Sequence, residues 1–241
     1  MQTTKSTAPT AIVTGGSRGL GRAVAAALAA EGWEVVVDGR DAAAVVAAGT
    51  AAGAWTVPGD VGDPAHRAAL LEAVECRTGR LDLVVNNAST LGPSPLPVLA
   101  GYPLDELRDV LETNVVAPLG LVQLALPLLR RSAGAVLNVT SDAAVEPYRG
   151  WGGYGTSKAA LDQWSNVLAA EEPAVRVWWV DPGDMRTRMH QEAFPGEDIG
   201  DRPEPETVVP AILRLLAERP PSGRVRAADL LAAAVGSGAG R

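Results

Sequence analysis

Tyr154 and Lys158 stand four positions apart in Tyr154-Gly155-Thr156-Ser157-Lys158. That spacing places two side chains on one face of a helix. A phenol with an ordinary pKa of roughly 10 is a poor base at neutral pH, and an ammonium beside it favours the phenolate. Such a pair suits a reaction that must deliver or remove a proton. Taken alone, Tyr-x-x-x-Lys is common by chance and reads more readily as a surface helical pair. Other residues narrow the reading. Ser141 closes an apolar run 13 positions before Tyr154, and Asn86-Asn87-Ala88 closes an earlier one. Asn114 falls inside a helix-like stretch, where an amide has poor propensity. Pro182-Gly183-Asp184-Met185-Arg186-Thr187 follows a further apolar run.

These residues need a scaffold, and the hydrophobic pattern supplies one. Short β-branched runs predict strands over 10–14, 34–38, 54–58, 81–86, 134–140, 176–181 and 224–227. Between them, Ala- and Leu-rich stretches predict helices over 19–31, 42–49, 64–78, 104–131, 151–171 and 204–218. Pro118 and Pro127 fall within the long one, so a kink or a split is expected there. Alternation of this kind gives an α/β domain, a parallel sheet of about seven strands with helices on both faces. Open sheets of this type bind ligands at the carboxyl edge, where Ser141 and Asn86-Asn87-Ala88 end their strands. Segments 91–103 and 188–205 read as irregular, the second as a lid carrying Met189 and Phe194 over a substrate. Its Glu192, Glu197, Asp198 and Asp201 discourage anionic substrates. The segment 236–241 reads as frayed.

The first strand runs into Thr14-Gly15-Gly16-Ser17-Arg18-Gly19-Leu20-Gly21, which opens a helix. Glycines permit a sharp turn and a close backbone approach, and free N–H groups at a helix start face an anion. The spacing is Gly-x-x-x-Gly-x-Gly, unlike the standard dinucleotide fingerprint. After the second strand comes Val37-Asp38-Gly39-Arg40. An acid near this point takes the ribose of NAD, whereas an Arg accommodates the 2′-phosphate of NADP. Arg40, with help from Arg18, favours NADP, and NAD stays open because Asp38 is close by. Asp38 stands one position too early, with Gly39 in the place of the usual acid.

Together these ordered motifs resemble the short-chain dehydrogenase/reductase family, its ordinary single-domain branch, over nearly the whole chain. The resemblance implies a Rossmann-type doubly wound sheet in a single domain spanning 1–241. It also implies an oxidoreductase interconverting a ketone or aldehyde and an alcohol by hydride transfer. It implies Tyr154 as acid/base, Ser141 on the substrate carbonyl, Lys158 on the nicotinamide ribose and Asn114 holding a relay water. Cofactor contacts are implied for Thr14, Gly15, Ser17, Arg18, Gly19, Leu20, Gly21, Arg40, Asp60, Val61, Asn87, Ala88, Tyr154, Lys158, Pro182, Gly183 and Thr187. A homodimer or homotetramer is implied, with 151–171 among the packing surfaces. Two departures stand out: Ser89 replaces the usual Gly of Asn-Asn-Ala-Gly, and Ser222-Gly223-Arg224-Val225-Arg226 replaces the common ending. A binding protein that senses the cofactor without turnover would be expected to have lost Ser141, Tyr154 or Lys158, and all three are present. Epimerisation or dehydration on the same fold is the other alternative.

Bulk properties agree. The chain has 241 residues, 47% hydrophobic and 20% charged, enough for one well-packed domain. Its net charge of −7 disfavours nucleic acid. His66 and His190 are the only histidines and belong to no metal-ligand spacing, so no metal is expected. A hydrolase triad is not expected either, since Ser141 has no partner His. Cys76 reads as a small, partly buried side chain, and one cysteine suits a reducing compartment. Residues 1–9 carry no apolar h-region, and no apolar stretch reaches the roughly 20 residues that span a bilayer. A soluble, cytoplasmic protein is the expectation. Trp33, Trp55, Trp164, Trp178 and Trp179 read as core or interface, whereas Trp151, three residues before Tyr154, reads either as lining a substrate pocket or as packing alone.

Overall fold

In the computed structural model, which describes residues 7–238, one sheet carries seven parallel strands in the order β3-β2-β1-β4-β5-β6-β7. The strands are β1 (Thr10–Val13), β2 (Glu34–Gly39), β3 (Trp55–Pro58), β4 (Leu83–Asn86), β5 (Ala135–Val139), β6 (Arg176–Asp181) and β7 (Gly223–Arg226). Their apolar residues alternate strictly between the two faces. Ala11, Val13, Val35, Val37, Leu83 and Val85 pack into one core, and Ile12, Val36 and Val84 into the other. Pleating sends successive side chains to opposite faces, and both faces here are covered, which is why the runs are apolar throughout.

The first core is closed by α1 (Gly19–Ala30) and α8 (Val209–Glu218), through Leu20, Val24, Leu28, Ile212 and Leu215. The second is closed by α3 (Pro64–Arg77) and α5 (Ala117–Ser132), through Leu70, Val74, Leu121 and Leu129. The helix α6 (Gly152–Glu171) lies on this second side as well, adding Leu168. The strand order reverses between β1 and β4, so the carboxyl ends of these two diverge into a crevice.

The predicted long helix is α4 (Leu104–Leu111) and α5 joined by a π-turn at Glu112–Val116. Ala117 N–H reaches back to the Glu112 carbonyl. Pro118 has no N–H to give the carbonyl of Asn114, so an α-type bond is impossible there and the wider turn takes over. The helical stretch Leu104–Ser132 is long and apolar enough to cross a membrane by length and composition, with a mean hydropathy of 1.4 over an 18-residue window, contrary to the reading that no such stretch exists. In this fold it serves as a core helix, burying Leu121, Val122, Ala125 and Leu129 completely.

Three further expectations change. Segment 188–205 begins with a short helix, α7 (Arg188–Ala193), capped by Thr187 through its bond from His190 N–H. Residues after β7 continue into α9 (Ala227–Gly238), which no sequence signal announced. The frayed tail read over 236–241 is therefore helical as far as 238, and 239–241 lie outside the described residues. Cys76 is exposed rather than partly buried.

Candidate active site

The glycine loop is built by its neighbours. The Thr14 hydroxyl donates to Val85 O (3.3 Å) and accepts from Asn87 and Ala88 N–H (3.0 Å each), locking the end of β1 to that of β4. The Asn87 amide then donates to Thr14 O (2.9 Å) and Gly15 O (3.2 Å). A Cβ at Gly21 would stand 2.4 Å from that amide nitrogen, so only glycine lets α1 approach this closely. The N-terminus of α1 has no side-chain cap, unlike α2 (Ala42–Ala52), capped by Asp41, and α3, capped by Asp63. Its free N–H groups point at the crevice, the arrangement that receives phosphate.

Asp38 is settled by geometry. It is 1% exposed, with Oδ1 accepting from Gly15 N–H (2.7 Å) and Oδ2 3.1 Å from His66 Nε2. Both oxygens are thus spent beneath the loop. Gly39 cannot be replaced easily by an acid, since a Cβ there would meet Val45 Cγ2 at 2.9 Å. Arg40 is exposed on the crevice wall and makes no hydrogen bond or ion pair among the described residues. Arg18 lies 3.9 Å from Asp41, a loose pair with both side chains half exposed.

The crevice has a volume of about 1010 Å³ and runs from Arg40, Asp60 and Val61 past the glycine loop to Ser141, Tyr154 and Lys158. Pro182, Gly183 and Thr187 line its far side. All predicted cofactor residues except Thr14 and Gly21 line this one space, and those two shape the loop from behind. The length of the crevice and the uncapped helix fit a dinucleotide.

At the reaction end, Tyr154 and Lys158 share a face of α6, the ammonium nitrogen lying 5.4 Å from the phenol ring centre. Close packing sets this face: a Cβ at Gly155 would stand 2.5 Å from Ala143 O. Tyr154 is 8% exposed and Lys158 3%. Burial pushes the Tyr154 phenol well above its usual range, with Asp142 and Asp181 adding to the rise. Hydrogen bonding with the Ser141 and Ser89 hydroxyls pulls it back. Burial also lowers the Lys158 ammonium to about 8, opposed by the charge of Asp162. Lys158 Nζ donates to Val139 O at 2.8 Å.

Ser141 accepts from Ala143 N–H (3.1 Å) and donates to Asp142 Oδ1 (3.0 Å), whose other oxygen accepts from Tyr148 (2.9 Å). Asn114 is 1% exposed, and its amide is saturated. Its oxygen accepts from Ser89 (3.0 Å) and Thr90 N–H (2.9 Å), and its nitrogen donates to Thr90 O (2.8 Å) and Ser157 (2.9 Å). With four bonds made, the side chain has none to spare for a relay water. It pins the π-turn to the loop after β4 and to α6.

Trp151 lines the site, edge-on to Tyr154 at 5.7 Å and 5.9 Å from Phe194. With Leu91, Leu96, Met189 and Ala193 these rings make an apolar wall. The lid's acids are partly neutralised: Glu192 pairs with Arg188 at 2.6 Å and Asp201 with Arg202 at 2.8 Å. Sequence reasoning missed Ser89, Asp142, Asp162, Asp181 and Arg224. Ser89 and Arg224 carried a signal, since both fall where the sequence departs from the family's usual pattern. Among the described residues no cluster could hold a metal ion.

A parallel doubly wound sheet with this crevice defines a nicotinamide-dinucleotide-binding architecture. Residues 9–198 match the family described as short chain dehydrogenase. The chain belongs to that family, whose members bind a nicotinamide cofactor. It is 36% identical over 191 residues to the rhamnolipids-biosynthesis 3-oxoacyl-[acyl-carrier-protein] reductase of Pseudomonas aeruginosa, covering 74% of this chain and 73% of the other. It is 32% identical over 199 residues to a benzil reductase, (S)-benzoin forming, of Saccharomyces cerevisiae, covering 75% and 73%. A Shigella flexneri protein of this family, solved in complex with NADP, superposes with a TM-score of 0.82 at 29% identity, covering 90% and 95%.

Proposed function

We propose that this oxidoreductase uses NADP(H) to interconvert a ketone or aldehyde and an alcohol, with Tyr154 as the acid/base. The observation that carries the reading is the Tyr154 phenol, enclosed between the Ser141 and Ser89 hydroxyls and facing the same crevice as the glycine loop. NADPH, when bound, supplies the hydride, and the alcohol returns one in the reverse direction. Ser141 turns its hydroxyl from Asp142 to the substrate carbonyl, and Tyr154 donates its proton to that oxygen. Because burial keeps the phenol neutral, it is ready as a donor at neutral pH. The Lys158 ammonium holds the nicotinamide ribose and stabilises the phenolate left behind. Arg40 receives the 2′-phosphate, with Arg18 beside it. The wall of Trp151, Phe194, Leu91 and Met189 favours a substrate with an apolar ring or chain.

Exposed Leu124 on α5 and Val167 on α6 suit pairing with a second copy, which sedimentation would reveal as a dimer or tetramer. The test of function is a carbonyl panel assayed with NADPH and NADH side by side. Turnover of apolar ketones with NADPH supports the reading. Tight NADPH binding with no turnover of any carbonyl contradicts it, as does cofactor retained but never consumed.

A further inference from the structure

Arg224 lies on β7, in the stretch where the sequence leaves the family's common ending, yet it reaches the reaction end of the site. Its Nη2 donates to the backbone oxygen of Ser141 at 2.9 Å. Its Nε donates to Asp162 Oδ2 at 3.0 Å, and Nη2 lies 3.5 Å from Asp181 Oδ2. One planar fork thus ties together the end of β5 that carries the serine, the helix that carries Tyr154 and Lys158, and the end of β6. Asp181 in turn accepts from Gly183 N–H at 3.0 Å, fixing the turn that lines the crevice. Asp162 follows Lys158 by one helical turn, and its other oxygen accepts from the hydroxyl of Thr140, the residue before Ser141.

An exposed ion pair would be worth little. This one is sheltered, with side-chain exposures of 26% for Arg224, 14% for Asp162 and 7% for Asp181. Coulombic effects are strong where water is scarce. The charged and titratable groups linked to Lys158 are Asp162, which acts on it directly, the neighbouring Tyr154 with Asp142 after β5 and Asp181 on β6 acting on that phenol, and Arg224 on β7 acting on Asp162. Arg224 is the only other cation among them.

We propose that Arg224 is a positioning residue for the reaction, holding Ser141 in register with Tyr154 and balancing the Asp162 charge that Lys158 feels. The inference rests on the proposed reaction for its kinetic arm only. Two readouts separate it from mere structural support: the alkaline break in kcat for reduction, and the alkaline break in NADPH affinity, which needs no substrate. In the parent protein both breaks fall near 8, where Lys158 loses its proton. Arg224→Met takes the cation off the Asp162 carboxylate and leaves that anion freer to support the Lys158 ammonium, so both breaks rise by about half a unit or more. Asp162→Asn removes the supporting anion, so they fall instead. Arg224→Met also lowers kcat about tenfold through misplacement of Ser141, and Arg224→Lys restores most of it.

Breaks that stay put, or move the same way in Arg224→Met and Asp162→Asn, overturn the proposal. So does an Arg224→Lys variant as impaired as Arg224→Met. Should Arg224→Met not fold, Asp162→Asn decides, and a break that does not fall is fatal. A parent protein that shows the binding break but reduces no carbonyl defeats the assigned reaction and leaves the Arg224 test intact.

Discussion

The two ends of the crevice are built on opposite electrostatic plans. At the reaction end Tyr154 and Lys158 are buried, and nearly every polar neighbour already has a protein partner. At the adenosine end Arg40 is exposed, carries no partner among the described residues and stands above a loop beneath which Asp38 is turned inward. The difference separates chemistry from recognition. Buried groups have their proton affinity set by the fold, whereas exposed ones wait for a ligand and are screened by salt.

Substitutions can break this contrast or sharpen it. The largest effect is expected at Lys158: replacing it with Met should lower kcat by about a hundredfold or more and also weaken NADPH, because one ammonium serves both proton transfer and the ribose. Loss of one without the other would mean the two roles belong to different groups. Arg40→Ala should weaken NADPH by about tenfold and leave NADH nearly unchanged, the worth of one charge-assisted phosphate contact. That loss should shrink in high salt, and equal losses for both cofactors would remove Arg40 from the 2′-phosphate. For pH, the Lys158 ammonium is present below its lowered value of about 8 and absent above it. The reduction rate should therefore be flat from about pH 6 to 7 and fall as pH rises through about 8. A rate that climbs across that range would show that the ammonium is not required. The smallest effect is expected at the apolar wall, where Phe194→Ala should raise KM for bulky ketones by a few-fold and spare NADPH affinity.

Much of this architecture was legible because it is written in local pattern. Short runs of apolar, β-branched residues marked all seven strands within a few residues, and the glycines marked the loop. Tyr154 and Lys158 could be paired from helical periodicity alone. What escaped depends on contacts between distant segments. The partners of Asp38 lie 23 residues before it, at Gly15, and 28 after it, at His66. No spacing rule joins Arg224 to Ser141 across 83 positions. Asn114 was singled out as an odd residue for a helix, but the partners of its side chain could not be read from the sequence. The π-turn gives it four protein partners, and that geometry follows from Pro118 together with the loop after β4. The helix α7 is only six residues long, too short for an amphipathic stripe to show, and α9 is Ala-rich with few periodic cues.

The central claim is that Tyr154 moves the proton, and replacing its hydroxyl alone tests it most directly. Tyr154→Phe keeps the ring that packs against Trp151, so NADPH affinity should stay within about twofold while carbonyl reduction falls by at least about a hundredfold. A Phe variant that reduces the same ketone at the parent rate would contradict the account.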